Sequence, residues 1–160
     1  MPEVVVNSTP LIILCRINQL NLLKELYHEI MIPEAVLREV TAKNDAVSLR
    51  LQSAGEWIHI ESIKDQSEKA MYKARLHDGE VEVMILAGER DAKLLIIDDN
   101  AAKKTAKYLG FPVTGTLGVI LRAKREGIIP EVRPLIAEIR RSGFYVSDAV
   151  EQAVLKQAGE

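Results

Sequence analysis

Cysteine is nearly absent: the 160-residue chain holds only Cys15. An intrachain disulfide is therefore excluded, as is a zinc site built from several thiolates. Cys15 follows the apolar stretch Leu11-Ile12-Ile13-Leu14 and reads as a buried thiol rather than a nucleophile, since reactive cysteines occupy exposed electropositive surroundings. Aromatic residues make up only 4% of the chain, so the core must be aliphatic. No apolar run approaches the ~20 residues of a membrane span. Met1-Pro2-Glu3 lacks the basic start of a secretory signal; a cytoplasmic protein without a membrane partner is the expectation. Charge of one sign is also missing. A net charge of −2 announces no overall nucleic-acid binder but leaves room for a local basic patch beside an acidic cleft. His28, His59 and His77 fall at no metal-ligand spacing, and Gly115-Thr116-Leu117-Gly118 lacks the Gly-Lys-Ser/Thr that completes a phosphate loop of the Walker type.

What is present is a succession of short apolar runs and helical patterns. A chain of this length suits one domain that buries roughly 70% of its unfolded surface. Val4 to Val6 and Leu94 to Ile97 are continuous apolar runs, as expected of strands buried on both faces. Glu29 to Ile32, Trp57 to Ile60 and Pro112-Val113 add further strands. Between them lie helical patterns: two short ones reaching Leu26, one opened by Pro33, and one from Asp45 to Ala54. Ser67 to Leu76, Glu80 to about Glu89 and Asn100 to Leu109 follow. Thr116 to Glu126, Glu131 to Arg141 and Ser147 to Ala158 close the chain. Strands alternating with helices imply a parallel sheet of four to five strands with helices on both faces. Residues 1–160 read as a single domain, with C-terminal helices over about 116–158 packed on it. Sites in such sheets lie beyond the carboxyl ends of the strands.

Polar residues collect at those ends. Asp98 and Asp99 follow the strand 94–97; a helix N-cap explains them, and so does a metal ligand, and one residue can do both. Glu80 opens an apolar helix, where helix-dipole complementarity alone would place an acid. Asp78 and Glu82 lie near it, but Glu80 and Glu82 are about 200° apart on the helix, so only one faces a given cleft; Glu80 is the choice. Glu39 lies within the helix after Pro33. Asn7, Ser8 and Thr9 form a strand-to-helix turn that capping accounts for by itself. The Asn side-chain oxygen can also ligate a hard metal, without contributing charge. Arg38, Lys103 and Lys104 stand close in sequence to these acids, on helix faces that would be solvated in any case.

The motifs in order are Val4-Val5-Val6-Asn7-Ser8-Thr9-Pro10-Leu11-Ile12, Ile32-Pro33-Glu34-Ala35-Val36-Leu37-Arg38-Glu39-Val40, and Leu76-His77-Asp78-Gly79-Glu80-Val81-Glu82-Val83. Leu94-Leu95-Ile96-Ile97-Asp98-Asp99-Asn100 with the residues to Lys104, and Phe111 to Gly118, complete them. In this set the chain resembles the PIN-domain nucleases, more closely the short, single-domain prokaryotic DUF3368-like subgroup of unassigned role. The resemblance implies a three-layer α/β/α fold and Mg²⁺- or Mn²⁺-dependent endoribonuclease chemistry. By position it makes Asn7, Glu39, Glu80 and Asp99 the catalytic set; Glu80, Asp99 and Asn7 are the metal-ligand candidates, and Asp98, as the neighbour of Asp99 at the strand end, joins them. Ser8 and Thr9 would hydrogen-bond the ligand carboxylates, and Arg38, Lys103 and Lys104 would hold RNA phosphates. For many relatives it also implies the toxin half of a toxin–antitoxin pair and a homodimer; RNA, single-stranded or structured, and an antitoxin protein are the expected partners. Asn7 departs from the pattern, which has Asp there, and the lost charge weakens divalent binding. The competing readings are a catalytically inactive PIN-like module that binds RNA or protein, and an aspartate-based receiver or phosphatase. The last needs an acylated Asp after an early strand, where Asn7 stands.

Overall fold

The computed structural model describes residues 2–43, 45–69 and 76–160. Five strands, β1 (Val4–Val6), β2 (Ile30–Pro33), β3 (Ile58–Glu61), β4 (Leu94–Ile96) and β5 (Val113–Thr114), form one sheet in the order β3-β2-β1-β4-β5. Every pairing is parallel. The strands are aliphatic because both faces are covered: Val5, Val6, Ile30, Ile32, Leu95 and Ile96 have no exposed surface. The described helices are α1 (Ser8–Arg16), α2 (Asn21–Tyr27), α3 (Glu34–Thr41), α4 (Ala46–Ser53), α5 (Asp78–Arg90), α6 (Asn100–Tyr108), α7 (Thr116–Arg125), α8 (Arg133–Arg141) and α9 (Asp148–Ala158). The fold is α/β with helical layers on a parallel sheet, as the alternation of patterns implies.

Two boundaries differ from the sequence expectation. α5 begins at Asp78, two residues early, because His77 is extended (φ −74°, ψ 160°) and serves as its N-cap. Glu80 is thereby the third helical residue, able to reach back to the His77 N–H. Of the helix expected over Ser67 to Leu76, the first two residues belong to a 3₁₀ turn at Gln66–Glu68, Lys69 is α-helical, and residues 70–75 lie outside the described residues. Cys15 is buried, and burial pushes its thiol up to about 11, with Arg50 offsetting only part of the shift.

α5 is the central helix. Its residues from Gly79 to Ala87 are all buried, and it lies against β1, β2 and α3. Glu82 makes that position possible for a charged residue. It is 3% exposed, its Oε1 accepts from the Ala35 N–H at 3.1 Å, and its Oε2 sits 2.7 Å from Lys69 Nζ and 3.8 Å from Arg38 Nη2. Pro33, the N-cap of α3, offers no capping side chain; Glu82 supplies the missing acceptor from another helix. At the other end of the chain the Glu160 carboxylate accepts from Lys124 Nζ (2.8 Å) and the Val132 N–H (2.6 Å), tying the last residue to α7 and to the start of α8. Because Glu82 is a buried carboxylate held by Lys69, more loosely by Arg38, and by one backbone donor, Glu82→Ala is expected to lower unfolding free energy by about 3 kcal/mol. Urea titration of both proteins measures this, and the exposed Glu39→Ala should cost clearly less.

Candidate active site

The chain runs from β1 to β2 on one side of the sheet and returns to β4 on the other, so a crevice opens past the carboxyl ends of β1 and β4. This is the topological switch point where open α/β sheets bind ligands. Asn7 is the first residue beyond β1, and its N–H bonds to the Ile96 carbonyl at 3.0 Å, placing it beside the end of β4. Asn7 and Ser8 are buried (5% and 8% exposed). The Asn7 side chain caps α1 by accepting from the Ser8 N–H at 2.8 Å.

Glu39, Glu80 and Asp99 reach this crevice from three helices. Glu39 is exposed near the end of α3, yet its carboxylate is held on both oxygens: the Gly79 N–H donates to Oε1 at 2.8 Å, and the Ser8 hydroxyl donates to Oε2. A β-carbon on Gly79 would collide with that carboxylate, so the glycine is needed for the close approach. Glu80 is 8% exposed and takes the His77 N–H at 3.0 Å through Oε1. Asp99 caps α6, accepting from the Ala102 N–H at 2.9 Å through Oδ2. Asp99 Oδ1 and Glu80 Oε2 make no hydrogen bond among the described residues.

The charges act on one another. Glu80 is held above its ordinary value of 4.5 first by burial, and then by the negative charges of Asp99 and Glu39; the His77 N–H bond offsets part of this. The site thus combines a buried Asn and a buried Glu with two exposed acids. Its donors are all oxygen, which is the chemistry of Mg²⁺, Mn²⁺ or Ca²⁺. Among the described residues no three His, Cys, Asp or Glu side chains are close enough to form a ready coordination shell. A magnesium-like ion, however, keeps several waters and needs only one or two carboxylates, and Asp99 and Glu80 each retain an oxygen without a hydrogen bond. In donor chemistry, though not as a ready coordination shell, these oxygens suit such an ion.

The remaining sequence candidates divide. Asp98 is committed to β5–α7: Thr116 donates to it from its N–H (2.8 Å) and from its hydroxyl (2.6 Å). Ser8 bonds Glu39, whereas Thr9 is exposed and lines the neighbouring cavity. Arg38 faces Glu82 at 3.8 Å with 63% of its side chain exposed; Lys103 is partly buried and Lys104 exposed. Glu82 turns away from the crevice toward Lys69. Sequence reasoning missed the Gly79 N–H, although its place beside Glu80 was a signal; Lys69 and Thr116 have no local signal, since each finds its partner only through the fold.

The profile of a family described as DUF3368, a PIN domain, matches residues 3–160. The search of curated proteins returned no match.

A carboxyl with a raised value in the folded state binds its proton more tightly there than in the unfolded chain. Its stabilising effect is complete below the unfolded value and is lost as pH rises through the folded one. Glu80→Gln keeps an acceptor for the His77 N–H and removes the charge. The variant is therefore expected to gain thermal stability relative to wild type as pH rises from 4.5, the ordinary value, to neutrality. Paired melting curves across that window measure it; a constant difference between the two proteins would contradict the assignment.

Proposed function

The chain belongs to the PIN-domain family, whose members commonly act as nucleases and generally use divalent metal ions, and we propose that it is a Mg²⁺- or Mn²⁺-dependent endoribonuclease weakened by Asn7. The observation that carries this reading is that Glu80, raised first by its burial, also feels repulsion from the carboxylates of Asp99 and Glu39 near the sheet's switch point. Such repulsion is a cost to the fold alone, and a bound cation relieves it. When bound, a divalent cation supplies positive charge to the phosphodiester and makes water more acidic. The protein's part is positional. Glu80 and Asp99 each have one oxygen fixed by a backbone N–H, which aims the other. Glu39 is fixed on both sides by Gly79 and Ser8, and contributes charge and a hydrogen-bond frame. Asn7 presents an amide where a carboxylate would add the fourth acidic group.

A toxin role, with an antitoxin protein and a homodimeric assembly, belongs to the same proposal. The second reading, a PIN-like RNA- or protein-binding module without cleavage, is favoured by one specific observation. Asn7 Oδ1 is already engaged by the Ser8 N–H, so position 7 brings neither charge nor an oxygen free of hydrogen bonds.

Asn7→Asp separates the two. Asp caps a helix as well as Asn, so the fold should be unchanged. A unit charge near a cation is worth about 4 kcal/mol at 4 Å and an effective dielectric of ~20. Calorimetric titration with Mn²⁺ is expected to show a clear affinity gain over wild type. Cleavage of single-stranded RNA should rise with it, and Asp99→Asn in that background should abolish both gains. Equal Mn²⁺ affinity in the two proteins would remove position 7 from the site. Tight Mn²⁺ binding without cleavage across several RNAs would favour the binding module.

A further inference from the structure

Beside the carboxylates lies a cavity of about 430 Å³, within the roughly 300–1,000 Å³ of small-molecule sites. Asp98, Lys103, Gly115 and Thr116 are among the residues that line it, and so are Phe144 and Tyr145. We propose that this cavity seats one nucleotide of a single-stranded RNA next to the cleavage site, its phosphate on Lys103 and its base against Tyr145. The proposal rests on the reading of the chain as a protein that acts on RNA.

Lys103 supplies the first argument. It is partly buried, and it makes no ion pair among the described residues. The Asp98 carboxylate nearby keeps its charge but gives its oxygens to the two donors of Thr116 rather than to an ion pair with Lys103. A β-carbon on Gly115 would lie 2.7 Å from Asp98 Oδ1 and 3.0 Å from Lys103 Nζ. The ammonium thus faces a small space that glycine alone leaves open. A partly desolvated cation that makes no ion pair among the described residues, and has Asp98 only as a neighbouring charge, is suited to an anionic ligand group.

Tyr145 supplies the second. It is 91% exposed, in a chain with few aromatics, yet its loop is pinned. Arg140 donates to the Val146 carbonyl from Nε (3.1 Å) and Nη2 (2.7 Å), and from Nη1 to Glu151 at 2.8 Å. The Arg16 guanidinium stacks on Phe144 with 5.4 Å to the ring centre. A ring held out to solvent on a fixed loop loses little freedom on stacking with a base. A cation and an exposed ring lining one cavity suit the alternation of phosphate and base along a single strand. Thr9 and Asp98, which line the cavity, are chain neighbours of Ser8 and Asp99, and Asn100 lines it as well, so the cavity borders the candidate site.

The test is fluorescence anisotropy with a labelled, mixed-sequence single-stranded RNA of about 12 nucleotides, within the roughly 4–16 that one binding module covers. EDTA is present throughout, so that no cleavage occurs. Wild type should bind. Tyr145→Ala should weaken binding about tenfold while Tyr145→Phe retains it. Lys103→Ala should weaken it too and lower the slope of log affinity against log salt by about 0.7, one phosphate on a single strand. Gly115→Ala, with an unchanged circular dichroism melt, should weaken binding by filling the gap between Asp98 and Lys103. Absence of RNA binding by wild type, or unchanged affinity in both Tyr145→Ala and Lys103→Ala, overturns the proposal; so does tight binding of a peptide at the same residues in place of RNA. If Asn7→Asp cleaves RNA with a KM indifferent to Tyr145→Ala, the subsite falls and the nuclease reading stands. If RNA binds with these dependences and Asn7→Asp never cleaves, the nuclease reading falls and the subsite stands.

Discussion

The grip on the Glu39 carboxylate organises the site. One oxygen takes the Gly79 N–H at the start of α5 and the other takes the Ser8 hydroxyl at the start of α1. Three helices, remote in sequence, are thereby fixed to one another just beyond β1. Neutral donors do this work, so the charge on Glu39 is not cancelled but held in place. A cation such as arginine in the same position would have tied the helices together equally well and erased the acidity.

That choice separates two kinds of buried acid on one helix. Glu82 is paired with Lys69, and its negative charge is spent on holding α3. Glu80, two residues earlier, has only a backbone donor and two like-charged neighbours. The roughly 200° between them sends one to a structural partner and the other to the open crevice. Stability and reactivity are drawn from the same residue type, and the surroundings decide which.

Much of the architecture was legible because its signals are local. The runs Val4–Val6 and Leu94–Ile96 are continuous because a parallel strand buried on both faces admits no polar residue. Asp45 and Ser147 cap α4 and α9 through bonds to N–H groups within three residues, a pattern the sequence states outright. The placement of Asn7, Glu80 and Asp99 follows from the same logic, since each stands at a junction of strand and helix or in a first helical turn. What was not legible depends on contacts far apart in the chain. Nothing around Lys69 points to Glu82, nothing around Thr116 points to Asp98, and the exposed Tyr145 looks like ordinary surface until Arg140 is seen to pin its loop. The early start of α5 was hidden because His77-Asp78-Gly79 reads as a break, whereas Gly79 is used for close approach rather than for a turn.

The seclusion of Cys15 has a practical side. The chain's sole thiol is buried, and with its value pushed to about 11 it carries almost no thiolate at neutral pH. To maleimides, spin labels and fluorophores the native protein is therefore blank. A cysteine introduced at an exposed position such as Tyr108 would be the one reactive sulfur, with no background to subtract and no native thiol to remove first. The aliphatic interior thus leaves the outside of the molecule open to single-point spectroscopic labelling.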